Sequence, residues 1–260
     1  MRTITDHLGR KVTYSFPPKR IVSFAPAITE TMYCLKLDEE LVGRTGFCIH
    51  PKDRVEQAAK VGGTKQVKLD RVHDLHPDLI IVEKEENTKE MVEQLEEHYP
   101  VYCFEVQTVE NAYRMIRDLG EITDREKVAG KLENDIQSAF QQLPNIDGTR
   151  VAYVIWKNPY MVAGGDTYIN SLLQKIGFTN AFETFGGRYP SVTEEDLQQA
   201  NLDYVFLATE PYPYKEKHLD EFQAMMPETI PDIIDGEMFW YGGRMLNAVS
   251  YFNKKLMGMK

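Results

Sequence analysis

A chain of 260 residues suffices for one large domain or two modest ones with buried cores, and 42% hydrophobic content excludes a disordered one. Forty acidic against thirty basic residues leave a net charge of −10, which excludes the basic surface that nucleic acid needs. No apolar run approaches the ~20 residues of a membrane-spanning helix.

The first residues, 1–7, carry neither the apolar stretch nor the small-residue cleavage site of a signal peptide, so a cytoplasmic location is expected of the sequence as it stands. Residues 21–24 form a short apolar run closed by Pro26, and Ile28, Met32 and Leu35 follow on one helical face. A helix over 69–75, a buried strand over 78–82 and a third strand over 100–104 continue the alternation. Strands alternating with helices predict parallel sheets covered by helices. Cys34, Cys48 and Cys103 are an odd, scattered set with no Cys-x-x-Cys pair, and read as small buried hydrophobes.

In the middle of the chain, Thr123 with Glu126 three residues later has the form of a capping box. Val128, Leu132, Ile136 and Phe140 then recur at helical spacing up to Pro144, predicting one helix over 124–143. After the turn-forming 144–148 the first half begins again. Residues 150–154 echo 20–24, and a helix over 167–176 ends at Gly177. Asp70 precedes Asp78 by eight positions, as Glu195 precedes Asp203. These matches predict a duplicated lobe. The expected organisation is an N-terminal lobe over 1–122, a bridging helix over 123–143 and a C-terminal lobe over 144–260, with a ligand cleft between the lobes.

Short catalytic signatures are absent from the sequence. The Gly-Gly pairs fit neither a P-loop nor a dinucleotide fingerprint. Gly164-Gly165-Asp166-Thr167 precedes a helix, where Asp166 or Thr167 would cap and an anion could be received. His73 and His76 read as a solvated helix face. His50, beside Cys48, is the better candidate ligand, but two such groups do not close a metal site, and none is expected. Aromatic loops follow strands at Trp156 to Tyr160, at Tyr212-Pro213-Tyr214 and at Phe239-Trp240-Tyr241. They read as lobe core or as cleft lining, and their Pro, Asn and Gly content favours lining.

Taken in order, these segments resemble a known family. Asp6-His7-Leu8-Gly9-Arg10, the run from Arg20 to Glu30, Leu41-Val42-Gly43, Lys60-Val61-Gly62-Gly63, Leu75-His76-Pro77-Asp78, Trp156, Gly164-Gly165-Asp166-Thr167, Gly177-Phe178-Thr179-Asn180, Tyr189-Pro190 and Glu195 together are similar to substrate-binding proteins of ABC importers of the cobalamin and ferric-siderophore type, also called helical-backbone metal receptors. The resemblance implies two Rossmann-like α/β lobes with parallel sheets joined by one long bridging helix. It also implies a non-enzymatic protein, without a cofactor of its own, that holds a cobalamin-like corrinoid, haem or ferric siderophore. Docking on an ABC permease through one acid per lobe would fall to Asp70 and Glu195. A receptor of this type works outside the cytoplasm, so a periplasmic or extracytoplasmic location is the expectation if a leader precedes residue 1. Phe47, His50, Trp156, Tyr160, Tyr189 and Trp240 would contact the chelate, aromatic faces suiting a flat macrocycle. Lys65, Lys84, Arg188 and Arg244 would meet its carboxylates or phosphates. The competing readings are a chelatase using His50 with Glu85 or Glu86, and a cytoplasmic sensor that has lost its transporter.

Overall fold

From Ile21 onward strands interleave with helices, as expected of an α/β chain. The computed structural model describes residues 1–257; residues 258–260, the end of the expected C-terminal lobe, lie outside the described residues. The chain divides into two α/β units. The first comprises 1–106, 110–137 and 241–244, and the second 107–109, 138–240 and the chain from 245 onward.

The first unit opens with a hairpin of β1 (Arg2–Thr5) and β2 (Lys11–Tyr14). It continues through β3 (Ile21–Ser23), α1 (Pro26–Cys34), β4 (Leu41–Arg44), β5 (Ala59–Lys60), α2 (Leu69–Leu75), β6 (Leu79–Glu83), α3 (Lys89–Glu96) and β7 (Val101–Phe104). The sheet has the order β5-β4-β3-β6-β7 and is parallel throughout. Its strands are near-continuous hydrophobic runs because both faces are covered. Val22, Ile80 and Val82 pack with Val72 of α2 and Leu95 of α3 to fill one side.

Two helices follow, α4 (Val109–Thr123) and α5 (Glu126–Phe140), and the chain passes from the first unit to the second within α5. The helix expected over 124–143 is therefore shorter than its periodicity suggested. Thr123 does not cap it. The Thr123 hydroxyl instead donates to the carbonyl of Leu119, one turn back, because α4 already occupies the preceding residues. Asp124 in a left-handed conformation (φ 60°) separates the two helices. Helix α4 was not anticipated, although Ala112, Met115, Ile116, Leu119 and Ile122 mark its buried face.

The second unit contains β8 (Arg150–Trp156), β9 (Tyr160–Val162), α6 (Tyr168–Ile176), β10 (Thr179–Asn180), β11 (Ser191–Val192), α7 (Glu194–Gln199), β12 (Tyr204–Ala208), α8 (Leu219–Met225), β13 (Ile230–Ile234) and α9 (Met245–Lys255). Strands β8, β12 and β13 are parallel, while β9 and β11 extend the sheet antiparallel beyond β8. Gly177 ends α6 at φ 102°, where a side chain would be strained. Among the described residues, no helix is long and apolar enough to cross a membrane.

The internal repeat is physical. Asp78 accepts from the backbone N–H groups of Lys19 and Arg20, and the Arg20 guanidinium donates to the carbonyl of Leu75, which ends α2. In the second unit Asp203 accepts from the N–H of Arg150, whose guanidinium donates to the carbonyl of Ala200, just past α7. His76 and Asn201, the residues following those two carbonyls, are both left-handed, at φ 44° and 50°. Each unit therefore clamps the start of its first parallel strand to the end of an acid-bearing helix.

Candidate functional site

Loops at the carboxyl ends of parallel strands are the usual location of α/β ligand sites. Four of the expected residues lie on that edge of the first unit: Phe47 and His50 after β4, Lys65 after β5 and Lys84 after β6. Phe47 is 63% exposed, and its ring lies over Gly63, where an added Cβ would stand 3.3 Å from the ring. The Lys65 ammonium donates to the carbonyl of Glu85 at 2.7 Å, and Lys84 pairs with Glu105. His50 is half-buried. Its neighbour Cys48 is buried with its sulfur 3.2 Å from the hydroxyls of Thr29 and Thr45, and burial raises its thiol pKa.

In the second unit, Trp156 ends β8 with 40% of its surface exposed. Tyr212, in the loop after β12, meets Trp156 edge to face at 5.8 Å between ring centres, and Tyr214 donates its hydroxyl to the Trp156 carbonyl at 3.0 Å. Tyr160, in β9, donates its hydroxyl to Glu221 at 2.9 Å. A hydrogen bond from Lys157, with Tyr160 assisting, holds the Glu221 carboxyl below its usual range, while burial and Glu221 raise the Tyr160 phenol. Trp240, after β13, donates its indole N–H to Glu210, after β12. Trp156, Tyr160, Tyr212 and Trp240 are thus fixed by partners in their own unit. Glu210 and Glu221 were missing from the expected site, and Tyr212 was expected there only as part of an aromatic loop. For Tyr212 the signal was its Tyr-Pro-Tyr context after a strand.

Arg188 and Tyr189 lie in the loop before β11, which is fastened when the N–H of Gly164 donates to the Arg188 carbonyl at 2.8 Å. A Cβ on Gly164 would lie 2.5 Å from the Gly187 carbonyl oxygen, so this close approach requires glycine. The helix cap at this motif is Thr167, whose hydroxyl accepts from the Asn170 N–H. Arg244 is buried and belongs to the first unit, where its Nε donates to Glu30 at 3.0 Å.

Asp70 and Glu195 are exposed, and each is the second residue of its helix, α2 or α7. Neither is the cap. Thr193 caps α7 in a reciprocal box with Asp196, and Lys68 precedes α2 without a side-chain bond.

A model of the periplasmic binding protein family matches residues 21–231. The chain belongs to the periplasmic binding protein family. Among this family, the vitamin B12-binding protein of Vibrio parahaemolyticus is 25% identical over 195 residues, covering 73% of this chain and 70% of the relative. The crystal structure of the periplasmic vitamin B12 binding protein BtuF of Vibrio cholerae superposes with a TM-score of 0.77 at 20% identity, over 94% of this chain and 98% of that one. The periplasmic heme binding protein HutB of Vibrio cholerae gives 0.77 at 21% identity, over 91% and 98%. The likeness in structure extends over nearly the whole fold.

Proposed function

We propose that this protein is the substrate-binding component of an ABC importer and carries a flat metal chelate, a corrinoid or haem, at the carboxyl edges of its parallel sheets. It works as a carrier and not as an enzyme, outside the cytoplasm, and hands its cargo to a permease through Asp70 and Glu195. Vitamin B12- and heme-binding relatives of the same fold support the ligand class. The observation that carries the choice is the pairing of presented aromatics with occupied cations. Phe47 and Trp156 present exposed rings on these edges, whereas Lys65, Lys84 and Arg244 already have partners in their own unit. Exposed aromatic rings whose neighbouring cations are already paired suit a macrocycle better than a polyanionic siderophore.

Titration with cyanocobalamin, haemin and a ferric hydroxamate siderophore, followed by quenching of the two tryptophans, tests the reading. Saturable quenching by a macrocycle is expected, and Trp156→Ala should weaken it by about 1–3 kcal/mol, the worth of a lost stacking surface. If none of the three binds, the reading fails. Tighter binding of the siderophore than of either macrocycle would replace the cargo class.

A further inference from the structure

Where each strand of the first unit's parallel sheet ends, the following loop carries N–H and C=O groups that no ladder satisfies. Three buried polar side chains take them up. Arg44, the last residue of β4, is 1% exposed. Its Nε donates to the Val55 carbonyl at 2.8 Å, and Nη1 donates to those of Thr45 and Cys48 at 3.1 and 3.0 Å. Its Nη2 lies 2.9 Å from Glu56, in the same loop.

Glu83, the last residue of β6, is also 1% exposed and does the converse. One carboxylate oxygen accepts from the N–H groups of Glu85 and Glu86 at 2.7 and 3.0 Å, and the other accepts from Val106, beyond β7, at 3.2 Å. Asn87 is 5% exposed. Its carbonyl oxygen accepts from the Glu83 N–H at 2.8 Å, while its amide donates to Phe24, beyond β3, at 3.1 Å and to Thr64, beyond β5, at 2.8 Å. Together the three grip the chain after every strand of the five-stranded sheet. Buried ions stabilise a fold poorly compared with apolar side chains of equal volume. Their placement at the ends of two strands therefore points to what they hold.

We infer that Arg44, Glu83 and Asn87 are positioning residues that preform the ligand face of the first unit, and that Arg44 sets the placement of Phe47. The inference rests on the proposed chelate-binding role. Phe47 lies between Thr45 and Cys48, whose carbonyls Arg44 holds, and its own N–H donates to the Thr45 hydroxyl at 3.2 Å. A loop fixed in this way gives up little freedom when a ligand arrives, which favours affinity without adding a contact.

A double-mutant cycle with cyanocobalamin and haemin tests this. Arg44→Lys keeps the charge but loses the fork of donors, and should weaken binding ~10-fold, as should Phe47→Ala, while the double variant should be no weaker than Phe47→Ala within ~2-fold. Additive losses, or unchanged affinity in Arg44→Lys, overturn the positioning role. Amide exchange on the unliganded wild-type protein gives a second reading that needs no variant to fold. Glu85, Glu86 and Val106 should already be protected ~100-fold or more over an open chain without ligand. Protection that appears only on binding overturns preformation. If the wild type binds neither macrocycle, the functional proposal fails while the exchange result still decides whether the face is preformed.

Discussion

Replacing Asn87 by aspartate changes almost no volume, so its cost isolates hydrogen bonding from packing. The side chain is 5% exposed and makes three bonds, accepting from Glu83 and donating to Phe24 and Thr64. Aspartate retains the first but turns a second oxygen toward the two carbonyls, at the present distances of 3.1 and 2.8 Å. The buried Phe24 carbonyl loses its donor at about 1–3 kcal/mol, the part-buried Thr64 carbonyl at less, and a charge is buried beside them. Protonation of the new carboxyl would return one donor and cap the penalty. A loss of about 3–5 kcal/mol near neutral pH follows, a large part of a domain's usual 5–15 kcal/mol. Asn87→Ala should lose a similar amount, because it orphans one N–H and two carbonyls. Urea unfolding followed by circular dichroism, with the first unit's transition analysed separately where the two units unfold in steps, measures both. The penalty of the aspartate variant should shrink toward pH 4 as the carboxyl protonates. An aspartate variant within half a kcal/mol of wild type at pH 8 would refute the assignment of these bonds.

The exposed acids behave differently. Asp70→Ala and Glu195→Ala each remove an acid from a helix's first turn and should cost no more than about 1 kcal/mol, with chelate affinity retained and permease-dependent uptake lost; large losses in thermal melts with uptake intact would remove the docking role. Thr193→Ala, which breaks the capping box of α7, should cost about 1 kcal/mol with uptake retained. Burial pushes the Glu83 carboxyl from 4.5 up to about 7, against the pull of its backbone N–H donors. With the folded-state value the higher one, this group's contribution is complete below pH 4.5 and is lost as pH rises through about 7. The difference in stability between wild type and Glu83→Gln should therefore drift by up to about 3 kcal/mol across that window, and a flat difference would show that the N–H donors hold the carboxylate ionised.

Local chemistry alone determined much of this protein. Apolar runs and helical spacing placed β3, β6, β7, α1, α2 and α6, because those patterns depend on which faces are buried. Gly177 and Thr167 marked the ends of α6, since backbone conformation and capping act within a few residues. The eight-residue offset of Asp70 and Glu195 from Asp78 and Asp203 registered the duplication before the matching arginine clamps were visible. Tertiary structure decided the rest. Thr123 and Glu126 have the spacing of a capping box, yet α4 claims the Thr123 hydroxyl, and no local rule announces that a helix ends there. Lys84 and Arg244 read as free cations in the sequence because Glu105 and Glu30 are 21 and 214 positions away. Arg44, Glu83 and Asn87 look like surface residues by composition. Their burial depends on where five strand ends converge, and that convergence exists only once the sheet has formed.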